Sequence, residues 1–175
     1  MTARVPFPVA IVVTGPAGSG KSKLSRAIAE RANCPAVNVG SLMEQELLKH
    51  GMVMNHRRDI GPAFLERLGQ HAYVDLVVDA LRPGVVVEGV RLAVALKEAA
   101  ARRRPLFHVA RTERPGWQVA PSEPFAADVL AMRDAADLVV GWLPTSAALE
   151  REATRVIAGA RGLVRGSHPD VPARR

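Results

Sequence analysis

The stretch GPAGSGKS, Gly15 to Ser22, has the residue types and the spacing needed to hold phosphate groups. It follows directly on the apolar run Val9–Val13. Its glycines allow the backbone to curl so that successive N–H groups point inward, and a helix beginning at the end of the loop adds its positive dipole end. Lys21 adds a full positive charge and Ser22 offers a hydroxyl to Mg²⁺. The predicted chemistry is the binding of a nucleoside triphosphate together with Mg²⁺.

The spacing Gly-x-x-x-x-Gly-Lys-Ser matches the P-loop pattern at every fixed position. An accidental glycine-rich turn is the alternative, but a P-loop must follow a strand and open a helix, and the residues on both sides predict that context. ATP and Mg²⁺ are therefore the expected cofactors. The residues predicted to bind the nucleotide are Gly15, Ala17, Gly18, Ser19, Gly20, Lys21 and Ser22.

The elements that position this loop alternate between strands and helices. The predicted strands are Val9–Val13, Pro35–Val39, Val85–Gly89, Pro105–Ala110 and Asp137–Trp142. The predicted helices are Lys21–Ala32, Ser41–His50 with Ser41 as N-cap, Asp59–Leu68, His71–Leu81, Leu92–Arg103, Phe125–Ala135 and Ser146–Ala160 with Thr145 as N-cap. Continuous β-branched runs such as VVVEG are typical of buried parallel strands. The pattern predicts an α/β fold with about five parallel strands and helices on both faces.

Four segments resemble P-loop kinases of the nucleoside monophosphate kinase superfamily. VNVGSLMEQELLKHG, Val37–Gly51, resembles the stretch that opens the monophosphate-binding helices of adenylate kinases, and VVVEGVR, Val85–Arg91, resembles their strand that ends before a substrate arginine. RRDIGPAFLERLG, Arg57–Gly69, is similar to the phage deoxynucleoside monophosphate kinases. ADLVVGWLPTSAALE, Ala136–Glu150, is similar to the last strand, loop and helix of dephospho-CoA kinases.

The sequence also departs from these families. Glu44 occupies the position where adenylate kinases carry an arginine, and the long lid is replaced by the short segment Arg111–Pro124. The resemblance implies a short member of the superfamily. It leaves open whether the lid-like segment closes over the site alone.

Glu88 and Arg91 follow the third predicted strand, and open parallel sheets bind ligands at the carboxyl ends of their strands. Glu88 is predicted to hold Mg²⁺ through water or to orient an acceptor hydroxyl; the alternative is a structural acid that caps a loop. Arg91 is predicted to clamp a phosphate of the acceptor, since a guanidinium matches phosphate bidentately; the alternative is a solvated arginine.

Arginines outside this strand complete the predicted site. Arg57 and Arg58 are predicted to bind the acceptor phosphate, with Arg58 preferred if only one acts, and a solvated pair as the alternative. Arg111 and Arg114 lie where lids of the resembling kinases carry arginines, and are predicted to stabilise the charge of the transition state; the alternative is a basic surface loop. Trp142 is predicted either to flank the ATP base or to plug the edge of the core.

Composition limits the class of protein. The 175 residues, 48% of them hydrophobic, predict one domain over residues 1–160 and a basic disordered tail over 161–175. The net charge of +7 suits polyanionic partners, but no aromatic residues interleave with the charges of the tail, so nucleic acid is not favoured. The single cysteine, Cys34, excludes an internal disulfide and indicates a reducing cytoplasm. No apolar run reaches the length of a membrane span, so no membrane partner is expected.

The function that the sequence predicts is ATP- and Mg²⁺-dependent phosphoryl transfer to a ribo- or deoxynucleoside monophosphate. Two alternatives stay open. One is a P-loop kinase for another small acceptor, such as dephospho-CoA, a sugar or a modified nucleotide; an acceptor without phosphate would not need Arg58 and Arg91. The other is a non-enzymatic module that binds nucleotide or nucleic acid. The oligomeric state is not predicted.

Overall fold

A computed structural model of the protein describes residues 6–111, 126–141 and 143–163. These residues form a five-stranded sheet in the order β2-β3-β1-β4-β5, and every neighbouring pair of strands is parallel. The strands are Ala10–Thr14 (β1), Ala36–Asn38 (β2), Val86–Gly89 (β3), Leu106–Arg111 (β4) and Leu138–Val140 (β5). The predicted α/β class with five parallel strands is confirmed.

Helices cover both faces of the sheet. They are Lys21–Ala32 (α1), Val39–Lys49 (α2), Arg57–Ala80 (α3), Ala93–Ala101 (α4), Ala126–Asp134 (α5) and Ser146–Gly162 (α6). Alternate residues of β1 enter two cores: Ala10 and Val12 pack with α2, α3 and α4, whereas Ile11 and Val13 pack with α1 and α6. Because both faces are buried, β1 reads in the sequence as an unbroken apolar run.

Most predicted element boundaries lie within two residues of the observed ones, but the start of α2 was predicted wrongly. Ser41 is not the N-cap. The cap is Asn38, which has extended backbone angles and accepts a hydrogen bond from the Ser41 amide at 3.0 Å. Gly69 has φ 84° and ψ 172°, outside the helical range, so α3 consists of two helical segments that meet in a kink at this residue, in agreement with the two helices predicted on either side of it. Thr145 caps α6 as predicted, since its hydroxyl accepts from the Ala148 amide at 3.1 Å.

A buried polar pair joins β1 to β4 in the middle of the domain. His108 is 4% exposed, and its Nε2 lies 2.7 Å from the Thr14 hydroxyl. The backbone N–H of His108 donates to the Asp137 carboxylate at 2.7 Å. His108 is therefore a core residue. None of the described helices combines the length and apolarity needed to cross a bilayer.

Candidate active site

The predicted phosphate loop connects β1 to α1 at the carboxyl edge of the sheet. α1 begins at Lys21 with Gly20 as its N-cap, and no side chain of the described residues caps this end. Its first turn also contains no acidic residue. The first amides of α1 and its positive dipole end are thus available to an anion, which is the arrangement that phosphate binding requires.

The end of β4 packs against two glycines of the loop, and both have a positive φ. Gly15 has φ 148°, and a Cβ there would lie 2.6 Å from the Arg111 carbonyl oxygen. Gly20 has φ 82°, and a Cβ there would lie 2.9 Å from Nη2 of Arg111. The shape of the loop therefore depends on a residue that is distant in the sequence.

Lys21 lies against the loop that it follows. Lys21 is only 9% exposed, and its Nζ donates a hydrogen bond to the Pro16 carbonyl at 2.7 Å. Burial of the stem together with this bond holds the ammonium group at the loop. A lysine held in this way is placed to neutralise phosphate charge without a large rearrangement.

Glu88 lies at the carboxyl end of β3, between β1 and β2, where it pairs with Val13 on one side and Asn38 on the other. It is 7% exposed. Oε1 accepts a hydrogen bond from Asn38 Nδ2 at 2.8 Å, whereas Oε2 is buried and has no hydrogen-bond partner among the described residues. An unpaired buried carboxylate oxygen is costly, so this atom needs a functional explanation.

Glu88 shares a cleft with Ser22. The cleft has a volume of about 340 Å³ and runs between α1 and β2. Asn38 and Ser25 also line it, and the Ser25 hydroxyl is a second buried oxygen with no partner among the described residues. The cleft therefore brings together the two residues that the sequence assigns to Mg²⁺.

Arg111, at the end of β4, packs against the phosphate loop. Strand β4 and the cleft residues of β2 lie on opposite sides of β1. Arg111 is 5% exposed, and its Nη1 donates to the carbonyl oxygens of Val140, at 3.4 Å, and Gly141. Burial lowers the pKa of this guanidinium, and the negative charge of Glu152 opposes that effect. Arg111 thus joins the phosphate loop to the end of β5. Its predicted role at the transition state is untested and stays a prediction.

The three arginines predicted to bind the acceptor are exposed and do not line the cleft. Arg58 has 84% of its side chain exposed, and its Nε lies 3.7 Å from the Asp59 carboxylate. Arg57 precedes it at the start of α3. Arg91 lies in the connection between β3 and α4, and its carbonyl accepts a hydrogen bond from the Tyr73 hydroxyl at 2.5 Å. The structure therefore anchors the backbone at Arg91 to α3.

Arg114 and Trp142 lie outside the described residues, as does the lid-like segment Arg111–Pro124 apart from Arg111 itself. Their predicted roles stay predictions. Residues 164–175, which form most of the predicted tail, also lie outside the described part of the chain.

Asn38 and Ser25 were not recognised from the sequence. An N-cap side chain accepts a hydrogen bond from a backbone N–H two or three residues later, and Ser41 lies three residues after Asn38. The capping role of Asn38 was therefore detectable from the sequence. The contact with Glu88 was not detectable, because it joins residues 50 positions apart on different strands.

Comparison with known proteins supports the fold. A family model described as AAA domain matches residues 14–102, half of the chain. Shikimate kinase from Acinetobacter baumannii has 18% sequence identity and a TM-score of 0.55, over 91% of this chain and 96% of that one. Shikimate kinase from Aquifex aeolicus has 16% identity and a TM-score of 0.54, over 90% and 99%.

A gluconokinase from Sinorhizobium meliloti has 21% identity and a TM-score of 0.53, over 93% of this chain and 99% of that one. No curated protein matches the sequence significantly. At these identities the similarity establishes the fold. The resemblance to P-loop kinases, derived above from short motifs, is confirmed at that level.

Proposed function

Because this chain belongs to the AAA domain family and has the fold of the P-loop kinases, we propose that it transfers the γ-phosphoryl group of ATP to a small-molecule acceptor. The observation that carries this proposal is the Glu88 carboxylate. It is buried, one of its oxygens has no partner among the described residues, and it lines the same cleft as Ser22 of the phosphate loop.

The phosphate loop binds the donor in this proposal. The amides at the start of α1 and the Lys21 ammonium group hold the phosphates of ATP and neutralise the charge that develops during transfer. Phosphoryl transfer depends mainly on positioning and on such charge stabilisation. Lys21 is already held at the loop by its hydrogen bond to Pro16, so little reorganisation is required.

The side-chain oxygen atoms of Ser22 and Glu88 are suitable ligands for Mg²⁺. This ion prefers oxygen ligands, keeps several waters, and is commonly held by one or two protein groups together with substrate phosphates. The Ser22 hydroxyl and the Glu88 carboxylate are such groups, and the unpaired Oε2 would gain a partner. Bound Mg²⁺ supplies neutralisation of phosphate charge.

The first candidate acceptor is a nucleoside monophosphate. Arg57, Arg58 and Arg91 supply guanidinium groups that match a phosphate, and their exposure leaves them accessible to a ligand. A nucleotide phosphate is ionised at neutral pH, so its oxygen attacks without a general base. This candidate therefore uses Glu88 only for Mg²⁺.

The second candidate is a hydroxyl acceptor, such as a sugar acid, and the lining of the cleft favours it, because none of the three predicted acceptor arginines lines the cleft. A hydroxyl must lose a proton during the attack, and a carboxylate oxygen within hydrogen-bond reach is a suitable acceptor for that proton. Proteins named as shikimate kinases and a gluconokinase share the fold. An acceptor of this kind does not depend on the exposed arginines.

The test is a coupled ADP-release assay with ATP, Mg²⁺ and two panels of acceptors: ribo- and deoxynucleoside monophosphates, and hydroxyl acceptors including dephospho-CoA, shikimate and gluconate. We expect turnover with one acceptor class and a loss of about 10²-fold or more in Lys21→Ala. Lys23→Ala is the matched control, because Lys23 is exposed on the same helix. Full activity of Lys21→Ala would contradict the mechanism.

Glu88→Gln separates the two acceptor classes. With a hydroxyl acceptor it removes the proton acceptor, and kcat should fall by about 10²- to 10⁴-fold even at saturating Mg²⁺. With a phosphate acceptor it should mainly raise the Mg²⁺ requirement, and saturating Mg²⁺ should restore most of kcat. Absence of turnover with every acceptor, in a protein that binds ATP, would refute the kinase proposal.

A further inference from the structure

Asn38 makes a hydrogen bond at each end of its side-chain amide. Oδ1 accepts from the Ser41 backbone N–H at 3.0 Å and so caps α2. Nδ2 donates to Glu88 Oε1 at 2.8 Å. The orientation of the amide follows from its partners, because a backbone N–H can only donate and an ionised carboxylate can only accept. One side chain therefore connects the start of α2 to the buried carboxylate.

The space around the amide is restricted. A Cβ on Gly40 would lie 3.0 Å from Asn38 Oδ1, so the glycine leaves room for the cap. β2 and β3 pair in parallel with Asn38 directly beside Glu88, so the strand register sets the distance between the two side chains. The amide thus has little freedom to turn away from the carboxylate.

We propose that Asn38 is a positioning residue for Glu88, an inference that rests on the role of Glu88 in the proposed function. The bond to Oε1 occupies one carboxylate oxygen and fixes the plane of the group. Oε2 then stays without a partner among the described residues, in a side chain that lines the same cleft as Ser22. A neutral amide performs this task without adding a charge beside the Mg²⁺ ligand.

Asn38→Asp separates positioning from capping. Aspartate is as good an N-cap as asparagine, so it keeps the bond from the Ser41 amide and the stability of α2. It has no N–H to donate, however, and it places a second negative charge beside Glu88, which disfavours the ionised carboxylate. Asn38→Ala loses both functions. The two variants therefore differ in the cap but share the loss of the bond to Glu88.

The experiment measures two quantities that need no acceptor: the midpoint of thermal unfolding of the ligand-free protein, and the affinity for ATP by calorimetry as Mg²⁺ is varied. Glu88→Gln and the double variant Asn38→Asp/Glu88→Gln complete a double-mutant cycle. We expect Asn38→Asp to lose about tenfold in the Mg²⁺-dependent gain of ATP affinity, because a charge-assisted hydrogen bond is lost. Its carboxylate lies beside that of the buried Glu88, so the ligand-free variant should unfold below the wild-type temperature, and Glu88→Gln should relieve this loss. In the Glu88→Gln background, Asn38→Asp should have no further effect on the Mg²⁺-dependent gain of ATP affinity.

Wild-type Mg²⁺ dependence in Asn38→Asp, with a weakened response in Glu88→Gln, would show that Asn38 is only a cap and would overturn the proposal. A lowered unfolding temperature of Asn38→Asp that persists in the Glu88→Gln background would overturn it as well, because the loss would then not depend on Glu88. Failure of the kinase proposal is distinguishable, because it appears as absent turnover in the wild type while the binding cycle still gives its own result.

Discussion

Alanine at Gly20 and alanine at Gly18 impose similar backbone strain but different contacts. The two glycines have φ values of 82° and 77°, both in the left-handed region. A Cβ at Gly18 has no heavy atom within 4 Å, whereas a Cβ at Gly20 would lie 2.9 Å from Nη2 of Arg111. Gly18→Ala is therefore a matched control that isolates the contact between the loop and Arg111.

The expected costs follow from these contacts. A left-handed conformation costs an L-residue about 1–2 kcal/mol, which both variants share. In Gly20→Ala the guanidinium must also move, and this weakens its bonds to the carbonyl oxygens of Val140 and Gly141. A hydrogen bond to a charged group contributes about 1.5–3 kcal/mol. We therefore expect Gly20→Ala to destabilise the protein by roughly 1.5–3 kcal/mol more than Gly18→Ala.

Urea denaturation of the ligand-free protein measures this difference in the free energy of unfolding, with no contribution from nucleotide binding. The same two substitutions in an Arg111→Ala background complete the design, since Gly20→Ala should then cost no more than Gly18→Ala. Equal destabilisation by the two alanines in the wild-type background would refute the argument that Arg111 is packed against the loop. It would also leave the requirement for glycine at position 20 to its left-handed backbone and to nucleotide binding.

Two further predictions test the core. A Cβ at Gly159 would lie 2.6 Å from Cζ of Phe107, so Gly159→Ala should destabilise the protein by about 1–3 kcal/mol in urea denaturation. Gly162→Ala, where space is open, should change stability by less than about 0.5 kcal/mol, and equal effects would contradict the packing. Burial lowers the pKa of His108, with Asp137 opposing it. The unfolded chain therefore binds the proton more readily, and stability should fall as pH drops below about 6.5. His108→Gln should reduce that slope by at most about 1.4 kcal/mol per pH unit, and a slope as steep as that of the wild type would contradict this role of His108.

Local chemistry explains why much of this protein could be predicted from its sequence. The phosphate loop consists of consecutive residues, so the spacing of its glycines, lysine and serine predicts its backbone geometry directly. The buried strands appear as apolar runs because both faces of the sheet are covered. Thr145 predicts the start of α6 because an N-cap side chain accepts a hydrogen bond from an amide only three residues away. In each case the interacting groups are neighbours in the chain.

The tertiary structure alone decided how distant residues meet. Arg111 reads in the sequence as a lid residue, yet it lies buried against Gly15 and Gly20 because β4 pairs directly with β1. Asn38 has the sequence features of an ordinary strand end, yet the strand order β2-β3-β1 places it beside Glu88. Only one oxygen of that carboxylate then has a hydrogen-bond partner among the described residues. Such contacts depend on the order and register of strands, which arise from packing across the whole sheet, so no short stretch of sequence encodes them.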